Sequence, residues 1–340
     1  MSVLINNQKV KEFTLRNKNG MEVSFLNYGC IITKIIVPDR KGNFENVVLS
    51  FNDVKDYEHN PHYFGAIIGR FAGRIKKGEI PLNGHLYSLK KNDGNNHLHG
   101  GETGFHQVFW KWKIIDNGVL FTHESPDGDQ GYPGNLHINI TYTLNDENEF
   151  LICYKGISDQ PTLLNLTNHT YFNLSGNLKH NIKDHILTLK SDNYIELDDE
   201  LLPTGMIKDV TNSTFDFREG KKIREGIELP NNQNIIAGYG YDHPFLLNKH
   251  NEPQIQLVEK SSGRVLSIQT NEKCVVVYSG TQLSEDKCLS NVNLTKYLGL
   301  CLETQGVPDA IHHSHFPQCI LEANKLFTSS TTYRFSIYPH

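Results

Sequence analysis

The sequence predicts an all-β chain, a large antiparallel sandwich with few and short helices. Three observations carry this. Short β-branched and apolar runs recur along nearly all 340 residues. Turn residues separate them, twice as Asn-Gly between β-like segments, at Leu82-Asn83-Gly84-His85 and Asp116-Asn117-Gly118-Val119, the strongest short-range hairpin signal. No window keeps apolar residues at i, i+3, i+4 and i+7 over three turns.

In chain order, Glu22–Asn27 and Cys30–Val37 are apolar and β-branched, separated by Tyr28-Gly29 and ended by Pro38-Asp39-Arg40-Lys41-Gly42. Asn43–Phe51 follows as another run. His137–Leu144 alternates well, and the turn Asn145-Asp146-Glu147-Asn148 leads into Phe150–Gly156. Further strand-like runs are His185–Leu189, Tyr194–Leu197, Gln254–Glu259, Val265–Thr270, Cys274–Tyr278, Gly299–Glu303 and Thr332–Tyr338. Helix candidates are short, about Asp53–His59 and Glu219–Glu225, and Asn231–Gly240 reads as a polar loop. Many strands at turn-punctuated spacing argue a sandwich. No repeat or low-complexity linker divides the chain, so residues 1–340 are expected to form one domain.

The charges, 33 basic against 38 acidic residues for a formal net of −5, give no electrostatic ground for nucleic acid or an anionic membrane as partner. The first residues lack a charged leader followed by an apolar stretch, and no apolar run approaches the roughly 18 residues of a spanning helix. Six cysteines, Cys30, Cys153, Cys274, Cys288, Cys301 and Cys319, are scattered without a Cys-x-x-Cys pair. Four of them lie in apolar runs, where buried free thiols are expected. The chain is therefore expected to be cytoplasmic.

Reactive side chains concentrate in five places. Asn165–Gly176 interleaves apolar residues with neutral polar ones around a single imidazole, His169. As one strand it would put Thr167, His169, Tyr171 and Asn173 on a common face, a row that suits a neutral, hydroxyl-rich ligand. Gly65–Ile75 holds Arg70 and Arg74 after glycines. It lacks a phosphate-loop ending, and taken alone it reads as a surface loop with two solvated arginines. Asn92–Gly101 carries His97 and His99, which could share a strand face, but no third metal ligand stands nearby. The Gly-Gly after His99 argues a turn that exposes it to a cavity. In Gly238–Leu247, Asp242 leaves a Gly-rich loop as an apolar strand begins. Glu303 ends the apolar run of Leu300–Gly306, where partial desolvation would raise its pKa toward a general base's range. His312-His313-Ser314-His315 is read as a solvated loop, since adjacent residues seldom chelate one ion unaided.

Taken together, Ala72-Gly73-Arg74-Ile75, Leu98-His99-Gly100-Gly101, Asn168-His169-Thr170-Tyr171-Phe172-Asn173-Leu174, Asp242-His243-Pro244-Phe245 and Leu302-Glu303-Thr304-Gln305 occur in that order. They resemble the aldose 1-epimerases, or galactose mutarotases, over essentially the whole chain. The resemblance implies a β-supersandwich with an open sugar-binding cleft, no metal and no cofactor, acting on a monosaccharide. It implies that Glu303 takes the proton from the C1 hydroxyl, that His169 protonates the ring oxygen, and that Arg74, His99 and Asp242 orient the sugar. Two positions depart from the family pattern. Gly73 stands where many members have Asn before the arginine, and Val276 stands where many have Gln.

The inventory fits that chemistry independently, because opening a hemiacetal needs a base at O1 and an acid at O5. A carboxylate such as Asp242 or Glu303 is expected to raise the pKa of His169. The pH profile would then have its acidic limb from the Glu and its basic limb from the His. Two alternatives remain, a hexose-6-phosphate epimerase, for which Arg70 is the candidate phosphate ligand, and a catalytically silent sugar-binding protein of the same fold.

Overall fold

The structure is a computed structural model that describes residues 3–249, 252–284, 288–289 and 292–338. Among the described residues, two large antiparallel sheets dominate. The first has nine strands, in spatial order Lys111–Ile115, Gly118–Ser125, Leu136–Leu144, Glu149–Ser158, Phe327–Ile337, Arg264–Thr270, Ile255–Val258, Ile186–Leu189 and Lys221–Lys222. The second has six, Tyr171–Phe172, Leu300–Gln305, Cys274–Tyr278, Asp242–Leu246, Asn193–Leu197 and Pro203–Asp209. A four-stranded sheet, Glu12–Arg16, Glu22–Leu26, Ile32–Pro38 and Phe44–Asn46, packs through Phe25 against Phe121 and Tyr142 of the nine-stranded sheet. No helix among them is long and apolar enough to cross a membrane.

Period-two burial explains the layering. Leu136–Leu144 buries every second residue and leaves the others exposed or half-buried. Val275, Val277, Leu300, Leu302 and Phe245 of the six-stranded sheet join one core with Ile140, Ile152, Leu257 and Leu266 of the nine-stranded sheet. Burying both inner faces removes a large apolar area from water. The opposite face of the six-stranded sheet is left for Asp242, Val276, Tyr278, Glu303 and Gln305.

The two Asn-Gly hairpins read from the sequence form, joining Glu79–Leu82 to His85–Ser88 and Lys111–Ile115 to Gly118–Ser125, and a third Asn-Gly, Asn19-Gly20, lies between the paired strands Glu12–Arg16 and Glu22–Leu26. Most other strands match the sequence reading within a few residues, though Phe327–Ile337 begins earlier than Thr332. Three readings need correction. Asn43–Phe51 is a strand only over Phe44–Asn46. After that the chain turns inward, and the Leu49 amide donates to Tyr171 O at 3.0 Å. Glu219–Glu225 is not a helix. Gly220 sits at φ +83°, which breaks helical geometry, and Lys221–Lys222 pairs with Ile186–Leu187 as an edge strand. The helix there is only Glu225–Glu228. Within the expected loop 231–240, Asn232–Ile236 is helical, because Asn231 and Asn234 form a reciprocal capping box with Asn in place of the usual Glu or Gln. The five cysteines with described side chains are free thiols; the side chain of Cys288 lies outside the described residues.

Candidate active site

The exposed face of the six-stranded sheet floors an open cleft. Strand register places its groups in rows. One row runs Asp242, Tyr278, Cys301 and Tyr171; the next runs Pro244, Val276 and Glu303. Glu303 is thus not past a strand end in water. It sits inside Leu300–Gln305 and is 2% exposed. Asp242 is not a turn residue but the first residue of its strand.

His169 reaches the cleft from a segment that is not one strand. Thr167–Asn168 pairs with Ile67–Ile68, whereas Tyr171–Phe172 joins the six-stranded sheet. The expected polar row around His169 is therefore corrected. Thr167 Oγ1 donates to Thr304 O at 3.1 Å, and Asn173 Nδ2 donates to the carbonyls of His180 and Leu298. Asn165 bonds Ala72 and Gly306, and Asn168 bonds Gly65 O at 2.8 Å. The dense neutral amides hold the site loops together, and of the four residues only His169 and Tyr171 line the cleft.

Arg74 lies in a two-residue strand paired with His97–Leu98, and its Nε donates to Asp93 Oδ2 at 2.7 Å. The next residue after that partner strand, His99, takes φ +52°, which turns its ring to the cleft. There its Nδ1 accepts the Gly73 amide at 3.2 Å. His97 does not share this face. It is fully buried, with Nδ1 at 2.6 Å from Lys90 O and Nε2 at 2.7 Å from Tyr132 Oη. Arg70 is not solvated either. The residue is buried, and its guanidinium donates to Ser125 Oγ and to the carbonyls of Ser125, Pro126 and Pro133. The His312–His315 segment is latched rather than free, with His312 on Asp309, His313 on Pro203 O and His315 on Gly205 O.

The central pair is His169 Nε2 and Glu303 Oε1, 3.6 Å apart and both nearly inaccessible to solvent. Burial disfavours charge on each. It lowers the His169 pKa to about 3 and raises that of Glu303 well above the usual carboxylate range, with the Asp242 carboxylate adding to the latter. The expectation that a carboxylate raises His169 is thus corrected: burial moves it down, and the upward pull comes from its own backbone carbonyl. Both shifts favour the neutral pair, with a shared proton on the Glu rather than an ion pair, and the two groups titrate as one unit. These directions predict an exchanged order of limbs in the pH profile, with the second proton entering on His169 at low pH and the last leaving Glu303 at high pH. Burial also lowers His99, helped by the other imidazoles and Arg74, and raises Asp242 against the pull of Arg74.

His99, His169 and Glu303 offer donor atoms within 4.8 Å of one another, the one group among the described residues close enough to share a metal ion. It brings in His99 without His97, and its third member is far away in sequence. The sequence reading also missed Asp93, which fixes Arg74, and Tyr63, whose ring lies 4.9 Å from that of His99 and 5.7 Å from that of His169. It missed Tyr278 and Gln305 too, both of which line the cleft. Gln305 was legible, because it stands two residues after Glu303 on the same strand face. Gln305 Oε1 and Glu303 Oε2 are buried without a partner. Of the departures, Gly73 at φ +85° faces Pro308, which an added Cβ would meet at 2.8 Å, and Val276 pairs in register with Glu303 as an apolar wall.

A family profile described as Aldose 1-epimerase matches residues 11–334. Mouse galactose mutarotase is 39% identical over 333 residues, covering 96% of this chain and 94% of the relative. The chain belongs to the aldose 1-epimerase family. An aldose 1-epimerase from Haemophilus influenzae is 37% identical over 303 residues, 88% of this chain and 87% of its own. Among solved structures, galactose 1-epimerase from Lactobacillus acidophilus superposes with TM-score 0.88 at 30% identity, covering all of this chain and 98% of its own. A GalM/aldose epimerase homologue from C. elegans reaches TM-score 0.91 at 28% identity, over 97% and 100% of the two chains. The fold is therefore that of the galactose mutarotases, as the sequence motifs imply.

Proposed function

We propose that this chain is a mutarotase that interconverts the α- and β-anomers of free hexoses such as galactose and glucose. The observation that carries the reading is the buried His169–Glu303 pair, 3.6 Å apart at the floor of an open cleft. Relatives named galactose mutarotase and aldose 1-epimerase, 37–39% identical over most of the chain, support it. The whole chain acts as one domain, since the family match spans residues 11–334. We assign it to the cytoplasm.

Each step moves one proton at each end of the hemiacetal. Sugar binding first carries the shared proton from Glu303 to His169, with Arg74, His99 and Asp242 hydrogen-bonding the hydroxyls. Glu303 then takes the O1 proton and His169 Nε2 gives its proton to O5. The C1–O5 electron pair leaves with O5 as C1=O1 forms. Rotation about C1–C2 presents the other carbonyl face. Closure reverses both transfers: O5 attacks C1, His169 takes back the O5 proton, and Glu303 returns one to O1. Each transfer is typically worth 10²–10⁴-fold.

Polarimetry of fresh α-glucose and α-galactose, with and without the protein, tests the reading; rotation that relaxes no faster with protein would refute it. Free hexoses should be turned over with higher kcat/KM than their 6-phosphates. Arg70, the candidate phosphate ligand, is bound up in internal hydrogen bonds, and Arg74 is the sole Lys or Arg among the described lining residues.

A further inference from the structure

The proton-transfer cycle uses only Nε2 of His169, so something must keep a proton on Nδ1. In the mechanism the ring alternates between imidazolium and neutral imidazole, and both forms must present Nε2 to the cleft. The neutral ring is competent only as the tautomer with hydrogen on Nδ1, because the other tautomer has no lone pair to take the O5 proton. The group beyond Nδ1 decides the tautomer.

Two acceptors stand there, the backbone carbonyl of His169 itself and a thiol. Cys301 Sγ lies 3.5 Å from His169 Nδ1, in a contact buried on both sides. The placement follows from register: Cys301 pairs with Tyr171 on one side and Tyr278 on the other, two residues before Glu303 on the same strand face. The one strand Leu300–Gln305 thus presents the acid–base partner to Nε2 and the thiol to Nδ1. Tyr171 also hydrogen-bonds the same sulfur, in the sense that lowers the thiol's pKa, as a donated phenolic O–H does.

We propose that Cys301 is a positioning residue that accepts the Nδ1–H of His169 and so fixes the tautomer that leaves Nε2 free for proton transfer. A sulfur does this with a weak hydrogen bond. It sets the ring's orientation without the strong stabilisation of imidazolium that a carboxylate in the same place would give. Burial then keeps the thiol protonated and inert as a nucleophile. The proposal deepens the role given to His169 above and rests on it.

The imidazole is faced by Glu303 and Cys301 from one strand and by Tyr278 from the next. Tyr171, Tyr63 and His99 complete its surroundings, with the charges of His62 and His106 felt from further off. Of these, Cys301 is the one placed at Nδ1.

The test is ¹⁵N NMR of the ligand-free intact protein, with His169→Asn used to assign the ring signals. Wild type should show Nδ1 protonated and Nε2 unprotonated near neutral pH. Cys301→Ala should shift the tautomer ratio about fivefold toward the other form, the change that loss of one net hydrogen bond brings, and lower kcat about twofold at unchanged KM. Cys301→Ser should restore the tautomer and most of kcat. As a stronger acceptor, it should also move the acidic limb of the profile upward by about half a pH unit. A wild-type ring with its proton on Nε2, or a Cys301→Ala protein that keeps both tautomer and kcat, overturns the proposal. If wild type shows the expected tautomer but does not speed mutarotation, the function fails and the tautomer assignment stands.

Discussion

Replacing Glu303 by Gln isolates the base while sparing the fold. Gln has the same shape and no charge, and the carboxyl it replaces is already pushed by burial toward its neutral form. No described ion pair other than that with His169 involves it, and Oε2 has no partner to lose. The melting temperature should therefore stay within roughly 5 °C of wild type, the shift that about 1 kcal/mol brings in a small domain and an upper limit for a longer chain. The amide cannot take the O1 proton, so kcat should fall by about 10²–10⁴-fold, or ~3–5 kcal/mol in the barrier. KM should change little, because Arg74, His99 and Asp242 still line the cleft. The linkage sign gives an independent readout. A carboxyl whose folded pKa is raised contributes stability that is complete below its unfolded value near 4.3 and is lost as pH rises through the folded value. Between pH 5 and pH 8 wild type should lose stability from this group, and Glu303→Gln should be spared that loss. Polarimetry gives the rate, and urea unfolding at the two pH values gives the linkage. A folded Glu303→Gln protein within tenfold of wild-type kcat refutes the assignment.

Further outcomes follow from the same geometry. The basic limb of kcat/KM should belong to Glu303 and disappear in the residual activity of Glu303→Gln, while it survives in His169→Asn; the reverse pattern would restore the opposite order of limbs. Arg70→Met should cost about 3 kcal/mol or more in urea unfolding, by removing the donor from three enclosed carbonyls, while the Ser125 hydroxyl keeps Asp129 as its partner. It should leave the preference for free hexoses over 6-phosphates unchanged, and a large gain in relative 6-phosphate activity would contradict its internal role. Dialysis against a strong chelator should leave mutarotation intact, since the steps above need only proton transfer. Loss restored only by a divalent ion would assign His99, His169 and Glu303 to a metal.

The sequence by itself determined the class of fold and named the candidate residues of the site. Period-two runs and Asn-Gly turns are local signals, each written in a few adjacent residues, and they fixed the hairpins and most strands. The five ordered motifs likewise named Arg74, His99, His169, Asp242 and Glu303, which the structure gathers in one cleft. What only the tertiary structure decided is which polar residues face that cleft and in which protonation state. Thr167 and Asn173 share a sequence pattern with His169, yet they bond backbone carbonyls, because their segment leaves one strand and enters another sheet. His97 stands two residues from His99 and ends in the core, since the positive φ at His99 turns its ring away from the strand's alternation. Arg70, four residues before Arg74, is enclosed by loop carbonyls from residues 125–133 that no local pattern connects to it. The pKa directions of His169 and Glu303 are set by burial, a property of everything packed around them and of nothing in their immediate sequence.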